Sequence, residues 1–296
     1  MTGKSALSIL FLGIAVGVAG LAIFSPFWGP APPPALRTVD NVAPSAPAAP
    51  PTMWPDFSIN GPGFQTPAMA DGELIAYGYR LVTQTFAVIG PEASDPDARF
   101  AGNNLACQNC HLDGGTNRAG LPLVGVAKAY PKFSTRDKRV LSLPERLNDC
   151  MTRSMNGRPL PEGSREMKGL VAFLHFIGEP APVLPEPAPT PPQRADAARG
   201  AEVFGTVCAA CHQPDGQGVR LGSVNDGRGY RFPPLWGPDS FNDGAGMDTF
   251  HHAVGFVRRN MPRGIDPRHP QLTLQQAWDV VAYLKMMPRP KDMPAR

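Results

Sequence analysis

Cys107-Gln108-Asn109-Cys110-His111 and Cys208-Ala209-Ala210-Cys211-His212 are two copies of one pattern, C-x-x-C-H, and their reading decides the fold. Two thiols three positions apart on one helical turn reach both vinyl groups of a single porphyrin. The next residue then sets an imidazole on the iron. A zinc site would need a further Cys/His pair, and neither half of the chain offers one at suitable spacing. A redox dithiol would need a βαβ pattern, which is absent. The spacing therefore predicts two covalently attached haem c groups, held through Cys107, Cys110, Cys208 and Cys211 with His111 and His212 as proximal ligands.

Working outward, each motif sits in the same order of parts. An opening helix is predicted over Glu73–Val88 in the first copy and over Ala195–Val207 in the second. A long loop broken by glycine and proline follows each motif. The closing helices are marked by Met167, Leu170, Val171, Leu174 and Ile177, and by Leu274, Ala277, Trp278, Val281 and Leu284, apolar stripes at helical spacing. No strand-like alternation of any length is evident. The expectation is an all-α chain of two tandem cytochrome c-like domains, 71–180 and 194–296, joined by a proline-rich linker at 181–193. Each domain is small, and a buried porphyrin supplies apolar mass that three or so helices lack.

Ahead of the repeat, Ala6–Phe24 is almost wholly apolar. As a helix it spans about 28 Å, against a hydrocarbon core about 30 Å thick. It is read as a retained single membrane anchor (1–28), followed by a proline-rich spacer (29–70). Lys4 keeps the N-terminus inside, so both haem domains are expected in the periplasm of a bacterial inner membrane. Proline is heavily used, 36 of 296 residues, and crowds into the spacer and the linker. The formal net charge is only +3 and there is no charged tail, which sets nucleic-acid binding aside.

The sixth ligands differ between the halves. In the second, Met261 in Arg259-Asn260-Met261-Pro262 lies in a loop shortly before the closing helix, where small cytochromes c place a thioether; His251, His252 and Met247 compete with it. A core-filling methionine is the plainer alternative. In the first, no methionine has such a context, but an unpaired Cys150 remains. It falls in a helix predicted over Ser142–Met155, with Arg146, Cys150 and Ser154 on one face. Arg146 and Arg153 favour its thiolate, although an inert buried thiol is the commoner fate of such a residue. A His/Cys haem is the lower-potential centre and a His/Met haem the higher, so electrons are expected to run from the first domain to the second.

Several segments together resemble the dihaem thiosulfate dehydrogenases, a family that also runs as tetrathionate reductase. They are 129–133 (Ala-Tyr-Pro-Lys-Phe), 145–150 (Glu-Arg-Leu-Asn-Asp-Cys), 154–161 (Ser-Met-Asn-Gly-Arg-Pro-Leu-Pro), 232–240 (Phe-Pro-Pro-Leu-Trp-Gly-Pro-Asp-Ser) and 260–262 (Asn-Met-Pro). The resemblance implies an enzyme that joins two thiosulfate anions into tetrathionate at the first haem. It carries over Cys150, Arg136, Arg146 and Ser154 as site residues and Met261 as the second-haem ligand. It implies a redox partner such as a cytochrome c, a high-potential carrier or a terminal oxidase. A cationic stretch of Lys128, Lys132, Arg136, Lys138, Arg139 and Arg146 suits two mutually repelling dianions. Two departures stand out. The relatives are mostly soluble periplasmic proteins, and the lysine that some carry near the second-haem ligand is replaced here by Arg258 and Arg259. The alternatives are a membrane-anchored dihaem relay without a substrate of its own, and a cytochrome acting on a sulfur-loaded carrier protein.

Overall fold

The computed structural model describes residues 63–178, 189–191, 193–224 and 226–292. The expected anchor over 1–28 and most of the two proline-rich stretches lie outside these. Among the described residues no helix is long and apolar enough to cross a membrane.

The first half opens with α1 (Gly72–Thr83) and the short α2 (Thr85–Val88), and closes with α3 (Leu143–Arg153) and α4 (Arg165–Phe176). The single helix expected over Glu73–Val88 breaks at Gln84. The reason is local: the Thr85 hydroxyl turns back to Leu81 O and also accepts the Cys107 N–H at 3.1 Å. α3 starts where the sequence places it, because Ser142 and Glu145 form a reciprocal capping box with Pro144 in the first turn.

In the second half, α5 (Ala197–Val203) is capped by the Asp196 side chain and runs through a wider π turn, Phe204–Cys208, into α6 (Ala209–His212). α7 (Phe250–Asn260) and α8 (Leu274–Lys285) complete it. The expectation of no strands needs correction. Two antiparallel ribbons occur, β1 (Lys132–Ser134) with β2 (Arg139–Leu141), and β3 (Val219–Arg220) with β4 (Tyr230–Phe232). Each has only two or three residues per strand, too few for a period-of-two pattern to register.

Both halves use the same crossing. α1 packs on α4, and a Cβ at Gly78 would lie 2.0 Å from Gly169 O. α5 packs on α8, and a Cβ at Gly200 would lie 2.0 Å from Asp279 O. Glycine is required at both points because the backbones themselves touch. The first core gathers Leu81, Ile89, Val124, Met167, Phe173 and Leu174. The second is split between Val254, Ala277 and Val281 on one side and Phe204, Trp236 and Val280 on the other.

The halves are joined by buried polar ties. Glu92, 5% exposed, accepts Arg220 at 2.9 Å and the Gly227 N–H at 3.2 Å. Asp239 accepts the Asn104 N–H, and Asn242 donates to Thr152 O.

Candidate functional site

The haem motif of the first half forms a tight turn in the wall of a cavity of about 920 Å³. Val82, Leu105, Leu123, Leu147, Met151 and Leu174 make most of its lining apolar. Cys107, Cys110 and His111 stand in that wall, and so does Cys150. His111 Nδ1 lies 2.5 Å from Leu121 O. A carbonyl only accepts, so Nδ1 carries the proton and Nε2 keeps its lone pair for a metal. Burial holds this imidazole below its ordinary pKa, which keeps it neutral. The second motif repeats the device: His212 is buried, its pKa is lowered by burial, and Nδ1 donates to Pro233 O at 2.8 Å. Paired thiols and an imidazole with Nε2 left unprotonated in each half, and an apolar cavity of cofactor size at the first, fit two covalently attached haem c groups.

Cys150 sits in the last turns of α3, half-buried, with Arg146 Nη1 donating to its Sγ at 3.2 Å. The charge at Cys150 is the main reason the Arg146 pKa is raised, ahead of the opposing cost of burial. Arg153 does not share this role. It is taken up by Asp137 at 3.3 Å, Asp149 at 3.3 Å and Asp292 at 3.5 Å, so one arginine rather than two faces the sulfur.

A second, polar cavity of about 400 Å³ adjoins the first. Tyr130, Lys132, Arg136, Arg146, Arg153 and Ser154 are in its lining. The structure thus brings Arg136, Arg146 and Ser154 to one cavity and Cys150, Arg146 and Ser154 to the other. Arg136 is also tied to the second half through a 2.7 Å hydrogen bond to Gly244 O. Arg139 is paired with Glu145 at the surface, and Lys138 is exposed, so the cationic stretch divides between the cavity and solvent.

Met247, His251 and His252 were competitors for the second haem on sequence grounds. They line the cavity of the first instead, with Arg259. α7 and the turn before it roof the cavity of the other half. Position in sequence gave no sign of this, because it depends on how α7 crosses. Met261 ends α7, half-buried, directly after Asn260, whose side chain donates to Ala119 O at 2.9 Å in the loop following the first motif.

Two family profiles match the chain, one described as SoxA/TsdA, cytochrome c domain, over residues 98–183 and one described as Cytochrome c over 197–288. A thiosulfate dehydrogenase of Allochromatium vinosum is 38% identical, covering 76% of this chain and 81% of its own. One of Stutzerimonas stutzeri is 37% identical over 76% of this chain and 71% of its own. The chain belongs to the thiosulfate dehydrogenase family. A solved thiosulfate dehydrogenase (TsdBA) of Marichromatium purpuratum, 32% identical, superposes with a TM-score of 0.68 over 77% of this chain. This chain spans about half of that longer one, 49%. As a member of the thiosulfate dehydrogenases it is an oxidoreductase built of tandem cytochrome c domains with two covalently bound haem c groups.

Proposed function

We propose that this chain oxidises thiosulfate, joining two dianions into tetrathionate at the first haem, in a reaction able to run in reverse. A new sulfur–sulfur bond forms between the two outer sulfurs and two electrons leave, one for each haem. The observation that carries the reading is Cys150 Sγ, in the wall of the apolar cavity beside the first C-x-x-C-H motif, 3.2 Å from the Arg146 guanidinium and beside a second cavity rich in cationic side chains. A relay without a substrate has no use for that arrangement.

Covalent haem c supplies one-electron redox capacity when bound. The chain's own residues do the rest. Cys150 would join His111 in holding the first haem, and Arg146 donates a hydrogen bond to its sulfur. Arg136 and Arg146 offset the repulsion between two approaching dianions, in a cavity partly screened from water where such charges act strongly. Ser154 offers a hydroxyl to a sulfonate oxygen. Met261 would join His212 in holding the second haem, and the electron acceptor would be a cytochrome c, a high-potential carrier or a terminal oxidase. A thioether ligand there would supply a higher potential than a cysteine ligand at the first. The apolar segment 6–24 anchors the chain in the inner membrane with both haem domains in the periplasm.

The test is steady-state oxidation of thiosulfate by the purified dihaem protein with ferricyanide as acceptor. Cys150→Gly should lower the rate by about a hundredfold or more, as loss of a reacting group does. Wild-type activity in that variant would remove the proposed site. Met261→Gly should change the absorption spectrum and potential of one haem and spare the other.

A further inference from the structure

The two cavities meet at a joint whose walls come from different domains. Arg146 of α3 and Ser154, the residue that caps its C-terminal end, form one side; Gly246, Thr249 and His252 of the second domain form the other, and all five line both cavities. An anion passing from the polar cavity to Cys150 goes through this joint. We propose that His252 is a substrate-binding residue, closing on the thiosulfate dianion from the side opposite Arg146 and setting its affinity through its protonation. The proposal deepens the functional reading above and rests on it.

The chemistry follows from the ring's one hydrogen bond. His252 Nδ1 lies 3.3 Å from Gly246 O, a carbonyl that only accepts. Nδ1 therefore carries a proton, and Nε2 remains to meet a ligand. In the neutral ring Nε2 is a lone pair, which repels an anionic oxygen; in the cation it is a charged N–H donor. The charged side chains that face the polar cavity with it are Lys132, Arg136, Arg146 and Arg153, together with Asp137 and Asp149, both paired with Arg153. From the haem side Arg259, His251 and Cys150 face the joint's other mouth, and His251 packs on Trp278 at 5.2 Å. Tyr130 completes the titratable groups of the polar cavity, with burial pushing its hydroxyl up and away from neutral pH.

Imidazole is the one side-chain type of the polar cavity that ordinarily changes charge between about pH 5 and about pH 8. Coupling two thiosulfates into tetrathionate consumes and releases no proton. A pH effect on thiosulfate affinity near neutrality must then enter through the protein. Linkage fixes its sign: a dianion that prefers the imidazolium binds more tightly as pH falls.

The experiment measures KM and kcat for thiosulfate, with ferricyanide, on the full dihaem protein from about pH 5.5 to about pH 8.5. Wild-type KM should rise about tenfold across that range, the size of one charge-assisted hydrogen bond. His252→Gln should hold the high KM throughout, and His252→Arg the low one, with the absorption of both haems unchanged. His269→Gln, exposed and paired with Asp266, should keep the wild-type profile. A flat wild-type KM, or an undiminished slope in His252→Gln, overturns the proposal while leaving thiosulfate oxidation standing. Absence of thiosulfate turnover at every pH overturns the functional reading itself.

Discussion

Arg146 carries more of the site than any other side chain, since it touches Cys150 and lines both cavities. Replacing it with glutamine should lower kcat/KM for thiosulfate by about a hundredfold, the usual cost of removing a preorganised donor at a site of developing charge. Lysine should recover only part of this, because it keeps the charge and loses the fork. Intact absorption from both haems would show that the loss is functional rather than structural. The Arg146–Cys150 pairing was legible in the sequence because four-residue spacing on a helix guarantees a shared face. The place of His252 was not. An isolated pair of histidines says nothing about which cavity it faces until the crossing of α7 is known. Likewise Arg153 looks equivalent to Arg146 by distance along the chain, and only the partners Asp137, Asp149 and Asp292 show it to be spent elsewhere.

Among the elements, the paired helix crossings are the most demanding. Gly78→Ala forces a Cβ onto Gly169 O, and Gly200→Ala one onto Asp279 O. Each should cost about 1–3 kcal/mol or more in chemical denaturation of the haem-loaded protein, as overpacking does. The closing helices were readable from their apolar stripes, but the glycines at the crossings were not, since close approach leaves no periodic mark. Asp279 adds a pH-dependent tie at the same crossing. Burial pushes its carboxyl up, yet hydrogen bonds from Arg199, Gln275 and the Asp196 N–H outweigh that and hold it below its ordinary value. A depressed pKa means the tie is whole above the usual carboxylate range, about pH 4, and is lost as pH falls below it. Asp279→Asn should therefore be less stable than wild type at neutral pH by about 2 kcal/mol, discounted because Arg199 is partly exposed. The difference should narrow as denaturation curves are taken at progressively more acid pH below that range.

At the scale of the molecule, the two halves are bound through polar groups shared across the seam. Glu92 is the clearest case, its buried carboxylate accepting Asn104 of its own half and Arg220 and Gly227 of the second. Glu92→Ala leaves Arg220 the longer 3.4 Å contact with Asp239 and the face of the Tyr230 ring, and should cost about 3 kcal/mol. Thermal melts should then show two transitions where wild type shows one, and the retention of a single transition at the wild-type midpoint would contradict this. Tandem domains were evident from the repeated motif. Their mutual dependence was hidden, because Glu92 and Arg220 stand far apart in sequence within loops that carry no pattern. The roof that α7 lays over the first cavity is also late in the chain. Synthesis from the N-terminus makes Cys107 and Cys110 well before Phe250–Asn260, so that roof is the last of the cavity's walls to be made.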